Sequence, residues 1–284
     1  MTINKHVEWL TPAVGFYDKM STLYKFRAFN DQSLSILIDA EIFCAAPINL
    51  NDPFDSQINV QASLRAALEW ILQQEPKYSR SYKEALEILS TGGANQMIER
   101  VLHVGICSFS TLSNNTLMWS HYADQHRGFC IGINPHLIGN NGGLNSHFPD
   151  HVGSRPVTYT NGNPMVPRMQ LINSSSFANI SAKPDARNEP PAGNIIYHGS
   201  EAALCTKHLA WSYESEVRLI HSEGQSSVPI KPESIQEIVF GCRMPERHRK
   251  TLRKIASSCG LSNARFFELK KSETDLSFSV IGCD

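Results

Sequence analysis

Residues 105–133 read GICSFSTLSNNTLMWSHYADQHRGFCIGI, and this run decides the fold class. Gly105 to Ser110 is short, apolar and followed by a Ser/Asn-rich turn, which reads as a strand. Thr116 to Ala123 reads as a helix, with Trp119, Tyr122 and Ala123 sharing one face by i, i+3 and i+4 spacing. Phe129 to Ile133 is apolar throughout and reads as a second strand. The unit is strand, helix, strand, so the chain is expected to belong to the α/β class (α+β in detail).

The same pattern continues in both directions. Leu23 to Arg27 reads as a strand, and Asn30 or Asp31 can cap a helix carrying Leu34, Leu37 and Ile38 on one face. Glu41 to Ala46 is a further strand. Val60 to Gln73 is helical, and two more helices are expected between Tyr82 and Val101. Downstream, a helix is expected near Glu201 to Ala210, strands at Glu214 to His221 and Ile235 to Gly241, and a helix bracketed by Pro245 and Gly260. Arg265 to Leu269 and Leu276 to Ile281 close the chain as strands. Hairpin-like pairs near the end favour a mixed, twisted sheet with flanking helices. The whole of 1–284 reads as a single domain with a long irregular insertion at about 135–193, rich in Asn, Ser, Gly and Pro and interrupted by one strand at Val157 to Thr160.

Composition narrows the function classes. A hydrophobic fraction of 41% supplies a sizeable core. The formal net charge of -1 provides no general field for nucleic acid phosphates. One basic run, with Arg243, Arg247, Arg249, Lys250, Arg253 and Lys254, fits the solvated face of a helix. Seven cysteines, an odd count without a C-x-x-C pair, indicate neither a disulfide framework nor a zinc ribbon. No leader-like or membrane-spanning apolar run is present in the sequence, so no membrane partner and a cytoplasmic location are expected.

Three groups of words stand out: Leu23-Tyr24-Lys25-Phe26-Arg27 with Asn51-Asp52-Pro53-Phe54-Asp55; Cys107 to Ser110 with Met118-Trp119-Ser120-His121-Tyr122-Ala123; and Lys207 with Trp211 to Arg218. Together, and in this order, they resemble a bacterial family of unknown function. More distantly, an aromatic-plus-arginine first strand, a Ser-rich later strand and a Glu-x-Glu resemble the ADP-ribosyltransferases, and Glu216 to Ile220 with Val228-Pro229 is similar to the end of the DarT-type enzymes. The chain departs from that pattern in reading Ser108-Phe109-Ser110-Thr111 in the Ser-rich strand.

This second resemblance implies an enzyme of ADP-ribosyltransferase-like fold, possessed by toxins and phage-defence factors, that uses NAD as substrate and transfers ADP-ribose to a protein or nucleic acid acceptor. Glu216 and Glu214 would be catalytic, while Tyr24, Arg27, Ser108, Ser110, Trp119 and Tyr122 would bind NAD; no metal is implied. Cleaving the nicotinamide–ribose bond develops positive charge on the ribose, which a fixed carboxylate at Glu216 stabilises. If Glu214 to His221 is one strand, Glu214, Glu216 and Arg218 share a face, and repulsion raises one carboxylate's pKa so that Glu214 can accept a proton. Arg27 would hold the diphosphate. Each residue has a bland rival: a surface ion-pair row for the acids, core packing for Trp119, a turn for Asn51 to Asp55, and pairing with nearby acids for Arg27 and Lys207. Two further functions stand beside the first, a metal-dependent nuclease or hydrolase using Asp52, Asp55, His121 and Asp124, and a non-catalytic binding module.

Overall fold

The computed structural model describes residues 22–74, 79–135, 152–166 and 191–283. Most of the 135–193 insertion, and the amino-terminal stretch, therefore lie outside the described residues. The strands are β1 (Leu23–Arg27), β2 (Glu41–Cys44), β3 (Gly105–Ser110), β4 (Phe129–Ile133), β5 (Val152–Pro156), β6 (Thr158–Thr160), β7 (Thr206–His208), β8 (Glu216–His221), β9 (Ser226–Pro229), β10 (Ile235–Phe240), β11 (Arg265–Lys271) and β12 (Phe278–Gly282). The helices are α1 (Asp31–Ile38), α2 (Val60–Gln74), α3 (Ser79–Ser90), α4 (Asn95–Leu102), α5 (Thr116–Tyr122), α6 (Ala192–Leu204) and α7 (Glu246–Ser258).

Eight strands form one mixed sheet in the order β12-β11-β10-β4-β1-β3-β8-β5. Strands β10 and β11 are parallel, and the remaining neighbours are antiparallel. This is the mixed sheet with flanking helices that the sequence leads one to expect. Because β1 pairs antiparallel with both β3 and β4, the strand–helix–strand unit of 105–133 passes over β1, and α5 lies against it.

Side chains alternate across each strand, so the two sheet faces carry different cores. One face holds Leu23, Cys107, Phe109, Ile131, Val217 and Leu219, covered by Ile36 and Leu37 of α1 and Leu252 of α7. The other holds Phe26, Cys130 and Val239 under Met118 and Trp119 of α5. A third cluster, built from Leu64, Leu68, Ile71, Tyr82, Leu89 and Ile195, joins α2, α3, α4 and α6 into a helical layer.

Local chemistry explains most boundaries. Asn30 caps α1 by accepting a hydrogen bond from Ser33 N at 2.9 Å. Asn115 caps α5 in the same way, receiving Leu117 N and Met118 N. Pro245 precedes α7, and Gly260 beyond it takes φ of 72°.

Four details correct the sequence reading. Ile36 and Leu37 bury α1, while Ile38 is exposed. The helix expected at Glu201 to Ala210 ends at Leu204, and Thr206–His208 is a strand. Glu214 belongs to a 3-10 turn, Leu209–Glu214, so β8 starts at Glu216. The insertion contributes two strands, and β5 ends in Pro156 at the sheet edge, where a missing N–H costs no ladder bond.

Candidate functional site

Strand β1 treats its two neighbours unequally. It pairs with β4 along its whole length, from Leu23↔Ile133 to Arg27↔Phe129, but with β3 only at Tyr24↔Ser110. Past that point β1 and β3 part. Lys25 Nζ donates to Ser108 O at 3.0 Å, giving this carbonyl a side-chain donor where the strands have separated. A cavity opens at the split, lined by Tyr24, Lys25, Phe26 and Arg27 of β1, Ser108 to Ser110 of β3, Met118 and Tyr122 of α5, and Asn51, Lys207, Glu214 and Glu216. It encloses about 520 Å³ of empty space, including part open to solvent. The enclosed part, about 130 Å³, is smaller than the roughly 300–1,000 Å³ of drug-sized ligand sites.

One wall of the cavity is a closed ionic network. Lys207 Nζ lies 2.6 Å from Glu214, 3.1 Å from Glu216 and 3.4 Å from Asp55. Arg218 contacts Glu216 through Nε at 2.9 Å and Asp55 through Nη2 at 2.5 Å. Its Nη1 donates to Leu204 O and to Ser56 Oγ. None of these five charged residues is more than 6% exposed. Ser215, between the two glutamates, takes φ of 45°, a left-handed conformation unfavourable for a residue with a Cβ. That turn lets Glu214, from the 3-10 segment, and Glu216, from β8, meet at the same ammonium. Tyr122 OH donates to Glu214 at 2.5 Å and accepts from Asn51 Nδ2 at 3.2 Å. Tyr159 OH accepts from Glu216 N.

Electrostatics separates the two glutamates. Burial pushes Glu214 above the ordinary carboxylate range, more strongly than Lys207 and the Tyr122 hydroxyl pull it down. Burial acts on Glu216 too, but Arg218 and Lys207 outweigh it and hold its carboxyl at about 2. Repulsion between the pair contributes to raising Glu214, though less than burial does.

The opposite wall carries two cations without carboxylate partners among the described residues. Lys25 is buried, donates to a backbone carbonyl and lies 5.1 Å from the Phe109 ring centroid. Arg27 has a buried Nε without a hydrogen-bond partner. Burial lowers the pKa of both. Glu214, Glu216 and Lys207 line one side of the cavity, with Asp55 and Arg218 behind them, and Lys25 and Arg27 line the other, so the cavity is polarised.

Seven of the eight residues singled out from sequence, Tyr24, Arg27, Ser108, Ser110, Tyr122, Glu214 and Glu216, line this one cavity. Trp119 does not. It is fully buried, edge-on to Phe26 with ring centroids 5.2 Å apart, and donates through Nε1 to Ser113 O, so it is a core residue. Ser110 is also buried, and its Oγ accepts from Leu112 N, leaving the half-buried Ser108 as the more available hydroxyl. The acids form no surface row: they are buried, and Lys207 pairs with them while Arg27 does not. In the turn 51–55, Asp52 Oδ1 accepts from Phe54 N, but Phe54 is 74% exposed and does not anchor the loop. Asp55 does, through Arg218.

The residues of the nuclease reading are committed separately, Asp52 to its own turn, Asp55 to Arg218 and Asp124 to Arg127. Among the described residues no group of three or more His, Cys, Asp or Glu is arranged to hold a metal. Asp55, Glu214 and Glu216 are instead met by the Lys207 ammonium.

A mixed α+β protein with a split central sheet and a polarised cavity is thereby defined. Residues 118–219 match the profile of a family described as "Protein of unknown function (DUF2971)". The matched segment includes Met118 to Ala123 and Trp211 to Arg218, but not Leu23 to Arg27 or Asn51 to Asp55. No curated protein and no solved structure matches the chain. Among the described residues no helix is long and apolar enough to cross a membrane.

Proposed function

We propose that this protein is an NAD-dependent ADP-ribosyltransferase-like enzyme acting in the split between β1 and β3. The observation that carries the reading is the polarity of the cavity, with Lys25 and Arg27 on one wall and Glu214 and Glu216 on the other. A dinucleotide breaking its nicotinamide–ribose bond needs both ends, a cationic seat for the diphosphate and a carboxylate beside a ribose that becomes oxocarbenium-like.

Arg27 and Lys25 hold the diphosphate, and binding supplies the anion that neither meets as a carboxylate among the described residues. Glu216, ionised across the physiological range, stabilises positive charge at the ribose. Arg218 and Lys207 fix its orientation, and they also draw on its charge, so Ser108 and Glu216 act on the ribose together. Glu214, with its raised pKa and its Tyr122 contact, is the base that takes a proton from the incoming acceptor. A toxin or phage-defence role, and a protein or nucleic acid acceptor, belong to the same reading.

The test is nicotinamide release from NAD, together with label transfer from NAD into a cell lysate, by the native chain and by Glu216→Gln at matched thermal stability. Turnover in the native chain that falls at least a hundredfold in the variant is the expected result. Equal turnover in both, or none in either, rejects the assignment.

A further inference from the structure

Cys44 closes β2 and Cys107 lies in the middle of β3, on the core side of the cavity. Next to them Ala45 and Ile106 exchange both backbone hydrogen bonds, Ala45 N to Ile106 O at 2.8 Å and Ile106 N to Ala45 O at 2.7 Å. In antiparallel strands such a pair is flanked by non-hydrogen-bonded pairs whose Cα atoms are roughly 4.5 Å apart. One residue along, in opposite directions, are Cys44 and Cys107. The approach of the strands is close: a Cβ on Gly105 would lie 2.8 Å from Cys44 Cβ. Both thiols enter the same core cluster, and each shifts the titration of the other. Disulfides form across Cα separations of roughly 4.4–6.8 Å, so this position accepts one without rearranging the backbone.

The surroundings give the two thiols different roles. The neighbouring Cys44 thiol lowers Cys107 to about 6, against the effect of burial and with help from the Lys25 and Arg27 charges. The Cys44 thiol is raised, first by Cys107 and then by burial. Cys107 is thus the nucleophilic thiolate and Cys44 the resolving thiol.

We propose that Cys44 and Cys107 are a redox pair, oxidised by hydrogen peroxide to a cross-strand disulfide behind the cavity wall. The Cys107 thiolate attacks one peroxide oxygen; an S–O bond forms, the O–O bond breaks, and the departing hydroxide takes a proton to leave as water. Cys44 then attacks the sulfenic sulfur; the S–S bond forms, the S–O bond breaks, and the hydroxyl leaves as water with the Cys44 proton. Two thiols and one peroxide give one disulfide and two waters.

The native chain is treated with hydrogen peroxide, its remaining thiols are blocked, and it is digested without reduction for mass spectrometry. A peptide linking Cys44 to Cys107, lighter by two hydrogens and released by dithiothreitol, is expected, as is a dimedone adduct on Cys107 in Cys44→Ser. Absence of the link, or oxidation confined to the half-buried Cys205, Cys242, Cys259 and Cys283, overturns the pair. A linked peptide in a chain that does not turn over NAD keeps the redox pair and discards only the enzymatic reading.

Discussion

The two walls of the cavity bury charge in opposite ways. On the β8 side Asp55, Glu214 and Glu216 are met by Lys207 and Arg218 at 2.5 to 3.4 Å, and the Arg218 guanidinium is further satisfied by a carbonyl and a hydroxyl. On the β1 side Lys25 has a carbonyl, and the Arg27 Nε has no partner among the described residues. A buried charge that is fully paired is a fixed element of the fold, whereas one left without a partner costs stability unless a ligand completes it. The difference assigns the walls separate work: one is preorganised by the chain itself, and the other is held in readiness for an anion.

The largest expected effect comes from opening the paired wall. Arg218→Met leaves Asp55 and Glu216 buried with a single cation between them, and removing one partner of a buried pair costs about 3–5 kcal/mol. Urea denaturation of the variant against the native chain measures this. A loss under about 1 kcal/mol would mean that the network contributes little to folding and that the walls do not differ as described.

Acid sharpens the same comparison. Glu216 is held at about 2 in the folded chain against an ordinary 4.5. Its contribution is therefore fully present above about 4.5 and is lost as pH falls from there towards 2. Glu214, raised by burial, has the opposite sign, since its ionisation opposes folding and its protonation relieves that cost. In Glu216→Gln the dependence of unfolding free energy on pH between about 4.5 and 2 should flatten by up to about 1.4 kcal/mol per pH unit. An unchanged acid limb would place the stabilising carboxylate elsewhere.

How much of this was legible in the sequence follows the range of the interactions. Boundaries of β1, β3 and β4 are carried by local apolar patterning, and the start of α5 by the Asn115 cap, so short windows suffice to read them. Strand β9, Ser226–Pro229, is four residues long and largely polar, and gives no such signal. The misreading of Glu214 as strand has a single cause: Ser215 enters the left-handed region without the glycine that would announce it. Lys25 escaped notice because a lysine in a five-residue strand reads as solvent-facing, and its partner Ser108 is 83 residues away. The anchoring of Arg218 by Asp55 spans 163 residues, so the turn at 51–55 looked merely architectural although it supplies a wall of the site. Motif order pointed to seven of the lining residues, yet periodicity could not tell a buried network from an exposed ladder.

The β1 wall is tested most directly at Arg27. Truncating a paired buried cation destabilises the fold, but Arg27→Met removes a guanidinium whose Nε lacks a partner and whose burial already disfavours its charge. Stability is therefore expected to stay within about 0.5 kcal/mol of native or to rise, since replacing an uncompensated polar group by an apolar one of similar length relieves a desolvation cost. Affinity for inorganic pyrophosphate should move the other way. A hydrogen bond to a charged group contributes about 1.5–3 kcal/mol, which is roughly a 10- to 100-fold weakening on titration. The two readings together discriminate: a variant that binds pyrophosphate as well as native has no anion seat at Arg27, and one that loses several kcal/mol of stability has an Arg27 that belongs to the fold after all. Only the combination of retained stability and lost affinity is consistent with a wall kept open for a ligand.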